Sequence, residues 1–264
     1  MSESDGEAAA IAAAHAGGEV LRRRFREATR LVVEEKGLHD FVTEVDREAE
    51  AAVLSVLRAR YAEHGILAEE GSPRAEGHGS RWIVDPLDGT TNFIHGVPTF
   101  CVSVALEEDR ELVAGAIFDP VHGETFHARR GGGAWLGDGR IACSRPSSAH
   151  DALIATGFPF RELSRLDRYL EAFEAFVRST AGIRRAGSAA LDLAFTACGR
   201  YDGFWEVGLS PWDMAAGALL VREAGGIVTD VLGGPGFLAR GEIVAAGSAL
   251  HPRMLEVTRA AFGR

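Results

Sequence analysis

Trp82-Ile83-Val84-Asp85-Pro86-Leu87-Asp88-Gly89-Thr90-Thr91-Asn92-Phe93 is the stretch on which the reading of this chain turns. An apolar run, the pattern of a buried strand, stops at two aspartates three residues apart, and Gly-Thr-Thr follows. Two carboxylates at the mouth of a strand are acceptor-only oxygen ligands, suited to a hard cation such as Mg²⁺. Pro86 holds Asp85 in extended geometry and stiffens the turn, while Gly89 lets the backbone come close to a ligand. The Gly-Thr-Thr reads as a helix start, where free backbone N–H groups and the helix dipole attract an anion. A cation site beside an anion site points to metal-assisted phosphate chemistry. Taken alone, the stretch is also an Asx-rich turn after a strand, so its meaning depends on what the rest of the chain brings to it.

Four other places offer something. Ala68-Glu69-Glu70-Gly71 closes the short apolar strand around Ile66-Leu67; adjacent carboxylates there repel unless a cation or solvent separates them, and a solvated turn is the plain alternative. Trp212-Asp213-Met214-Ala215-Ala216-Gly217 places Asp213 at the start of a helix of small residues, where Pro211 and the helix dipole explain an acid equally well. Thr43 with Asp46 three residues on resembles a capping box. Gly187-Ser188-Ala189 is a loop-to-helix junction that presents N–H groups and a hydroxyl to a substrate, or only caps a helix. Glu206 closes a strand seven residues before Asp213 and points toward the same neighbourhood. Arg184-Arg185 suits either a second phosphate or bulk solvent. No Ser/His/Asp order or reactive-cysteine context stands out, His95 reads as a turn residue, and Gly131-Gly132-Gly133 lacks the context of a nucleotide loop.

The flanking chain predicts the frame. An Ala-rich helix runs from Glu7 to about Arg30, and its Gly17-Gly18 pair either weakens its middle or admits a close neighbour. A second helix covers about Thr43 to Ala62, with Val45, Ala49, Val53 and Leu57 on one face. Strands at Gly65–Ala68 and Arg81–Asp85 flank a Gly/Pro/charged loop from Glu69 to Ser80. Phe100–Leu106, Leu112–Phe118 and Glu124–Ala128 read as an antiparallel meander, Arg129 to Gly139 as a Gly-dense turn, and Arg140–Cys143 as one more strand. After Ser144, strands near Ala152–Thr156, Gly182–Arg185, Gly203–Val207, Ile227–Asp230 and Glu242–Ala246 mix with helices near Ser164–Ser179, Ala189–Cys198, Pro211–Ala224 and Pro252–Phe262. This grammar gives a mixed α/β (α+β) fold in two packed subdomains, 1–146 and 147–264, with a soft boundary at Ser144 to Ser148.

Composition narrows the function. A formal net charge of -10, from 38 acids against 28 bases, argues against nucleic acid as a partner. The longest apolar stretches, such as Trp212 to Val221, are too short or too charged to span a bilayer, and no basic-then-apolar leader opens the chain. Cys101, Cys143 and Cys198 are odd in number and lack CxxC spacing, which fits reduced core cysteines in a cytoplasmic protein.

With Ala68-Glu69-Glu70, Asp85 through Phe93, and Trp212 through Gly217 with Ala224-Gly225-Gly226 all in order, the chain resembles the inositol monophosphatase family from about Glu7 to its C-terminus. The one departure is Ala68, where Gly is common before the paired glutamates; both glutamates remain. The resemblance implies a layered α-β-α-β-α sandwich of sugar-phosphatase fold, a homodimer and lithium sensitivity. It implies one Mg²⁺ on Glu69, Asp85 and the carbonyl of Leu87, a second bridging Asp85, Asp88 and Asp213, and a third, weaker ion near Glu69. Glu69 and Thr90 would orient the attacking water, with Asp46 assisting Thr90. The Gly89 and Thr90 amides would hold the phosphate, and Ser188, Ala189, Glu206 and Asp213 would meet the alcohol. The implied substrate is inositol 1-phosphate or a similar small cyclitol or sugar phosphate; fructose 1,6-bisphosphate and histidinol phosphate are the alternatives, and a non-catalytic binding protein is a third.

Overall fold

The computed structural model describes residues 3–26, 33–37, 40–71, 79–160 and 162–263. Helix α1 (Glu3–Arg26) leads into a small antiparallel hairpin, β1 (Val33–Gly37) and β2 (Asp40–Thr43), and then α2 (Glu44–Arg60). The expected continuation of α1 to Arg30, residues 38–39 and most of the expected Glu69–Ser80 loop lie outside the described residues. Seven strands follow: β3 (Gly65–Ala68), β4 (Arg81–Asp88), β5 (Cys101–Glu108), β6 (Glu111–Asp119), β7 (Glu124–Arg129), β8 (Gly133–Leu136) and β9 (Gly139–Ile141), with a short helix, α3 (Thr90–Ile94), between β4 and β5. They lie side by side in chain order, antiparallel throughout except for the parallel β3–β4 pair.

The second half supplies β10 (Leu153–Thr156), α4 (Leu166–Ser179), β11 (Gly182–Arg184), α5 (Ala189–Ala197), β12 (Gly203–Val207), α6 (Pro211–Glu223), β13 (Gly226–Thr229), α7 (Phe237–Arg240), β14 (Glu242–Gly247) and α8 (His251–Phe262). Its five strands form a mixed sheet in the order β11-β10-β12-β14-β13, with β10 parallel to both neighbours and β14 antiparallel to both.

Burial patterns stack these elements into five layers. Every residue of β5 from Cys101 to Glu107 is buried, the mark of a strand covered on both faces. One face carries α1 and α2, with Ala10, Leu21, Val53 and Leu57 meeting Val102, Val104 and Phe118. The other carries α5 and α6, whose residues are buried nearly all round, as a helix between two sheets requires. This middle core joins Ile83, Ile117 and Phe126 of the first sheet to Phe204, Val228 and Ile243 of the second without a break. Tyr169, Phe176, Trp205 and Phe262 then seal the second sheet against α4 and α8.

Two sequence expectations change. The Gly-dense segment 129–139 is not all turn: it contains β8, held because the Glu223 carboxylate of α6 accepts the Gly131 and Gly133 amides at 2.8 and 2.9 Å. The antiparallel first half contains one parallel pair, β3–β4, which carries Glu69 and Asp85 to the same edge of the sheet. Gly17 and Gly18 admit close neighbours: a Cβ on Gly18 would stand 2.2 Å from the Phe118 ring, and one on Gly17 2.8 Å from Val53.

Candidate metal and phosphate site

Asp85 and Asp88 come from one strand, and a regular strand would point residues three apart to opposite faces. A β-bulge corrects this. Asp85 pairs with Ser103 and Asp88 with Cys101, so three steps along β4 match two along β5. The Leu87 amide donates to the Asp85 carboxylate at 3.0 Å, so the Asx turn exists and forms part of the site. Gly89 follows at φ +99, where a Cβ would stand 2.8 Å from the Thr99 carbonyl oxygen.

The third carboxylate comes from the far half. Asp213 sits in the first turn of α6, and its Oδ2 accepts the Ser210 amide at 2.7 Å in a capping box. Carboxylate oxygens of Asp85, Asp88 and Asp213 all lie within 4.8 Å of one another, and all three residues are buried. Burial, then Glu69, Asp88 and Asp213, push the Asp85 carboxyl well above the usual carboxylate range. Burial and Asp213 raise Asp88 to about 7, against hydrogen bonds that hold it down. Three buried acids that raise one another are a donor set that a divalent oxygen-seeking cation fits, because its charge removes the repulsion. Glu69, in the turn after β3, lines the same cavity and acts on Asp85 through its charge, outside the tight trio.

Asp88 also ties the halves together. Its Oδ2 accepts the Ser188 hydroxyl and the Ala190 amide, each at 2.7 Å, at the first turn of α5. Ser188 thus uses its hydroxyl on Asp88 and caps α5 through Leu191, which leaves Ala189 and Gly187 beside it on the cavity wall. The buried Cys101 thiol stands 3.6 Å from the Ser188 hydroxyl and 4.0 Å from Asp88.

The Thr90 hydroxyl lies 3.0 Å from both the Asp46 carboxylate and the Leu87 carbonyl. Asp46 meanwhile closes the α2 capping box, its other oxygen accepting the Thr43 amide at 2.8 Å. Burial raises its carboxyl, and bonds from Thr43 and Thr90 pull it back.

Glu69, Asp85, Leu87, Asp88, Gly89, Thr90, Ser188 and Asp213 line one cavity of about 510 Å³, with Asp46 and Cys101 behind its wall. Glu206 of β12 lines it, packed so closely on Gly157 that a Cβ there would overlap its carboxylate. The sequence reading left Arg185 between a second phosphate and solvent, gave Asn92 no separate role, and did not pick out Phe158, Phe160 or Asp192 on this wall. Arg185 is held 5.5 and 5.2 Å over the rings of Phe158 and Phe160, a pair of cation–π contacts. Asn92 ties α3 to the opposite loop by donating to the Thr99 and Ala186 carbonyls. Asp192 is buried in the wall. The available signal for Asp192 was one acid in the otherwise apolar run Ala189–Ala197.

Five layers, with an acidic cavity fed by both sheets, define an α/β protein of the sugar-phosphatase class. The inositol monophosphatase family model matches residues 3–261, and the chain belongs to that family. It is similar to a Pseudomonas aeruginosa protein named Nus factor SuhB, 49% identical over 251 residues that cover 93% of each chain. It is also similar to a Mesorhizobium japonicum inositol-1-monophosphatase, 43% identical over 94% of each chain. The crystal structure of the extragenic suppressor protein suhB from Bartonella henselae superposes with a TM-score of 0.90 at 43% identity, covering 94% of this chain and 95% of that one.

Proposed function

We propose that this protein is a Mg²⁺-dependent phosphomonoesterase that hydrolyses inositol 1-phosphate or a closely similar cyclitol or sugar phosphate. The buried trio of Asp85, Asp88 and Asp213 carries the reading. Glu69, Asp85 and the Leu87 carbonyl would hold one ion, Asp85, Asp88 and Asp213 a second, and Glu69 a third, weaker one. When bound, such ions acidify a water, screen its approach to a phosphate dianion and stabilise charge on the leaving oxygen. The Gly89 and Thr90 amides would hold the phosphate. Glu69 and Thr90 would orient the attacking water, and Asp46 would fix the Thr90 hydroxyl that it contacts. Ala189, Glu206 and Asp213 would meet the alcohol.

The test is phosphate release with Mg²⁺ from inositol 1-phosphate, fructose 1,6-bisphosphate, histidinol phosphate and 3′-phosphoadenosine 5′-phosphate. We expect inositol 1-phosphate to be preferred. Asp88→Asn or Asp213→Asn should lower kcat by roughly two orders of magnitude or more, since an amide removes charge from the ion site. Near wild-type release by either variant contradicts the assignment. The relatives named Nus factor SuhB favour a second reading, a binding or regulatory role. No turnover of any of the four compounds would favour it over hydrolysis.

A further inference from the structure

The wall that faces the alcohol contains a carboxylate with no role in the assignment above. Asp192 is 1% exposed, lines the cavity, and has a buried Oδ1 with no hydrogen-bond partner. Its placement follows from its helix. Ser188 caps α5 and binds Asp88, and Asp192 lies one turn further on, its amide donating to the Ser188 carbonyl at 3.0 Å. Residues four apart share a helix face, so the helix that anchors an ion-site carboxylate also directs Asp192 to the cavity. Glu206 and Asp88 act on Asp192 as like charges, and Arg185 opposes them. A buried carboxyl oxygen without a partner costs stability that a fold dominated by packing has no need to bear. The cost is removed if a ligand hydroxyl supplies the missing bond, and the cavity beside it is large enough for a six-membered ring.

We propose that Asp192 is a further specificity residue: its carboxylate meets a hydroxyl of the alcohol half of the substrate, so that Asp192 and Glu206 together read two hydroxyls of a polyol ring. This rests on the phosphatase reading above. The class selected is a polyhydroxylated ring monophosphate. A phosphate ester of an alcohol without hydroxyls makes no use of Asp192.

Two substrates and two variants test this. Inositol 1-phosphate carries ring hydroxyls, whereas phenyl phosphate presents the same phosphoryl group and none. Asp192→Ala should raise KM for inositol 1-phosphate about tenfold and leave kcat/KM for phenyl phosphate within about twofold. Asp192→Asn keeps the shape and an acceptor, so it should recover most of the loss. If the alanine variant does not fold, Asp192→Leu, which keeps the volume and removes both acceptors, takes its place and should show the same loss on inositol 1-phosphate alone. Melting temperatures of both variants report the fold separately from activity. Equal losses on the two substrates, or no loss on either, overturn the proposal and leave Asp192 a structural residue. A wild-type protein that releases phosphate from neither substrate overturns the phosphatase reading itself, an outcome distinct from the other two.

Discussion

Asp46 caps a helix with one oxygen and holds Thr90 with the other, so two readings of one residue are both correct. Asp213 repeats the pattern, capping α6 while contributing to the acidic trio. This economy hides function in the sequence: each acid had an adequate local explanation, and only the bulge and the packing of α6 bring them together. Asp192 was harder to read, because a single acid in an apolar helix does not reveal which way it points. The trio also sets a pH dependence. Asp85 and Asp88 hold their protons more tightly folded than unfolded, Asp88 up to about 7. From the unfolded value of about 3.9 up to that folded value, the native state carries the extra proton, so stability falls as pH rises through this window. A divalent cation removes the penalty where the acids are ionised. Mg²⁺ should therefore raise the melting temperature more at about pH 8 than at about pH 5.5. Equal shifts in thermal scans at the two pH values would contradict this account.

At the scale of elements, α1 lies against the first sheet only because Gly17 and Gly18 leave room for it. Gly18→Ala drives a methyl group into the buried Phe118 ring and should cost about 1–3 kcal/mol through overpacking. Calorimetry should show a fall in melting temperature of roughly 2–4 °C for each kcal/mol. An unchanged melting temperature would mean that the ring moves aside freely. Most elements were legible because apolar periodicity is local: the long helices and the central strands follow their own spacing. The β1–β2 hairpin was not, since its charged residues carry no alternation to betray it. Nor was β8, because its order depends on a carboxylate ninety residues away. The parallel pairing of β3 with β4 was equally invisible, being a property of two segments with a loop between them.

The whole molecule depends on α6, which packs on the first sheet through Ala216 and delivers Asp213 from its first turn. Gly115 of β6 permits that approach, since a Cβ there would stand 3.2 Å from the Ala216 Cα. Gly115→Val should push α6 outward without touching the cavity, and roughly a tenfold or greater rise in the Mg²⁺ needed for half-maximal activity is expected. An unaltered Mg²⁺ titration would show that α6 holds its place by other contacts. The outer layer bears on the expected homodimer. Leu170 and Val177 of α4 stand seven residues apart and are 48% and 54% exposed, apolar positions that a dimer interface would cover. Leu170→Glu should shift a dimeric elution in size-exclusion chromatography to a monomeric one, and an unmoved peak would place the interface elsewhere. The division of the acidic trio between the two halves has a further consequence, which concerns time. Asp85 and Asp88 are synthesised more than a hundred residues before Asp213. A nascent chain therefore holds two mutually repelling acids until its last third folds back onto them. The ion site is complete only once Asp213 has been made and α6 has packed onto the first sheet, so competence to bind the ion reports that the two halves have come together.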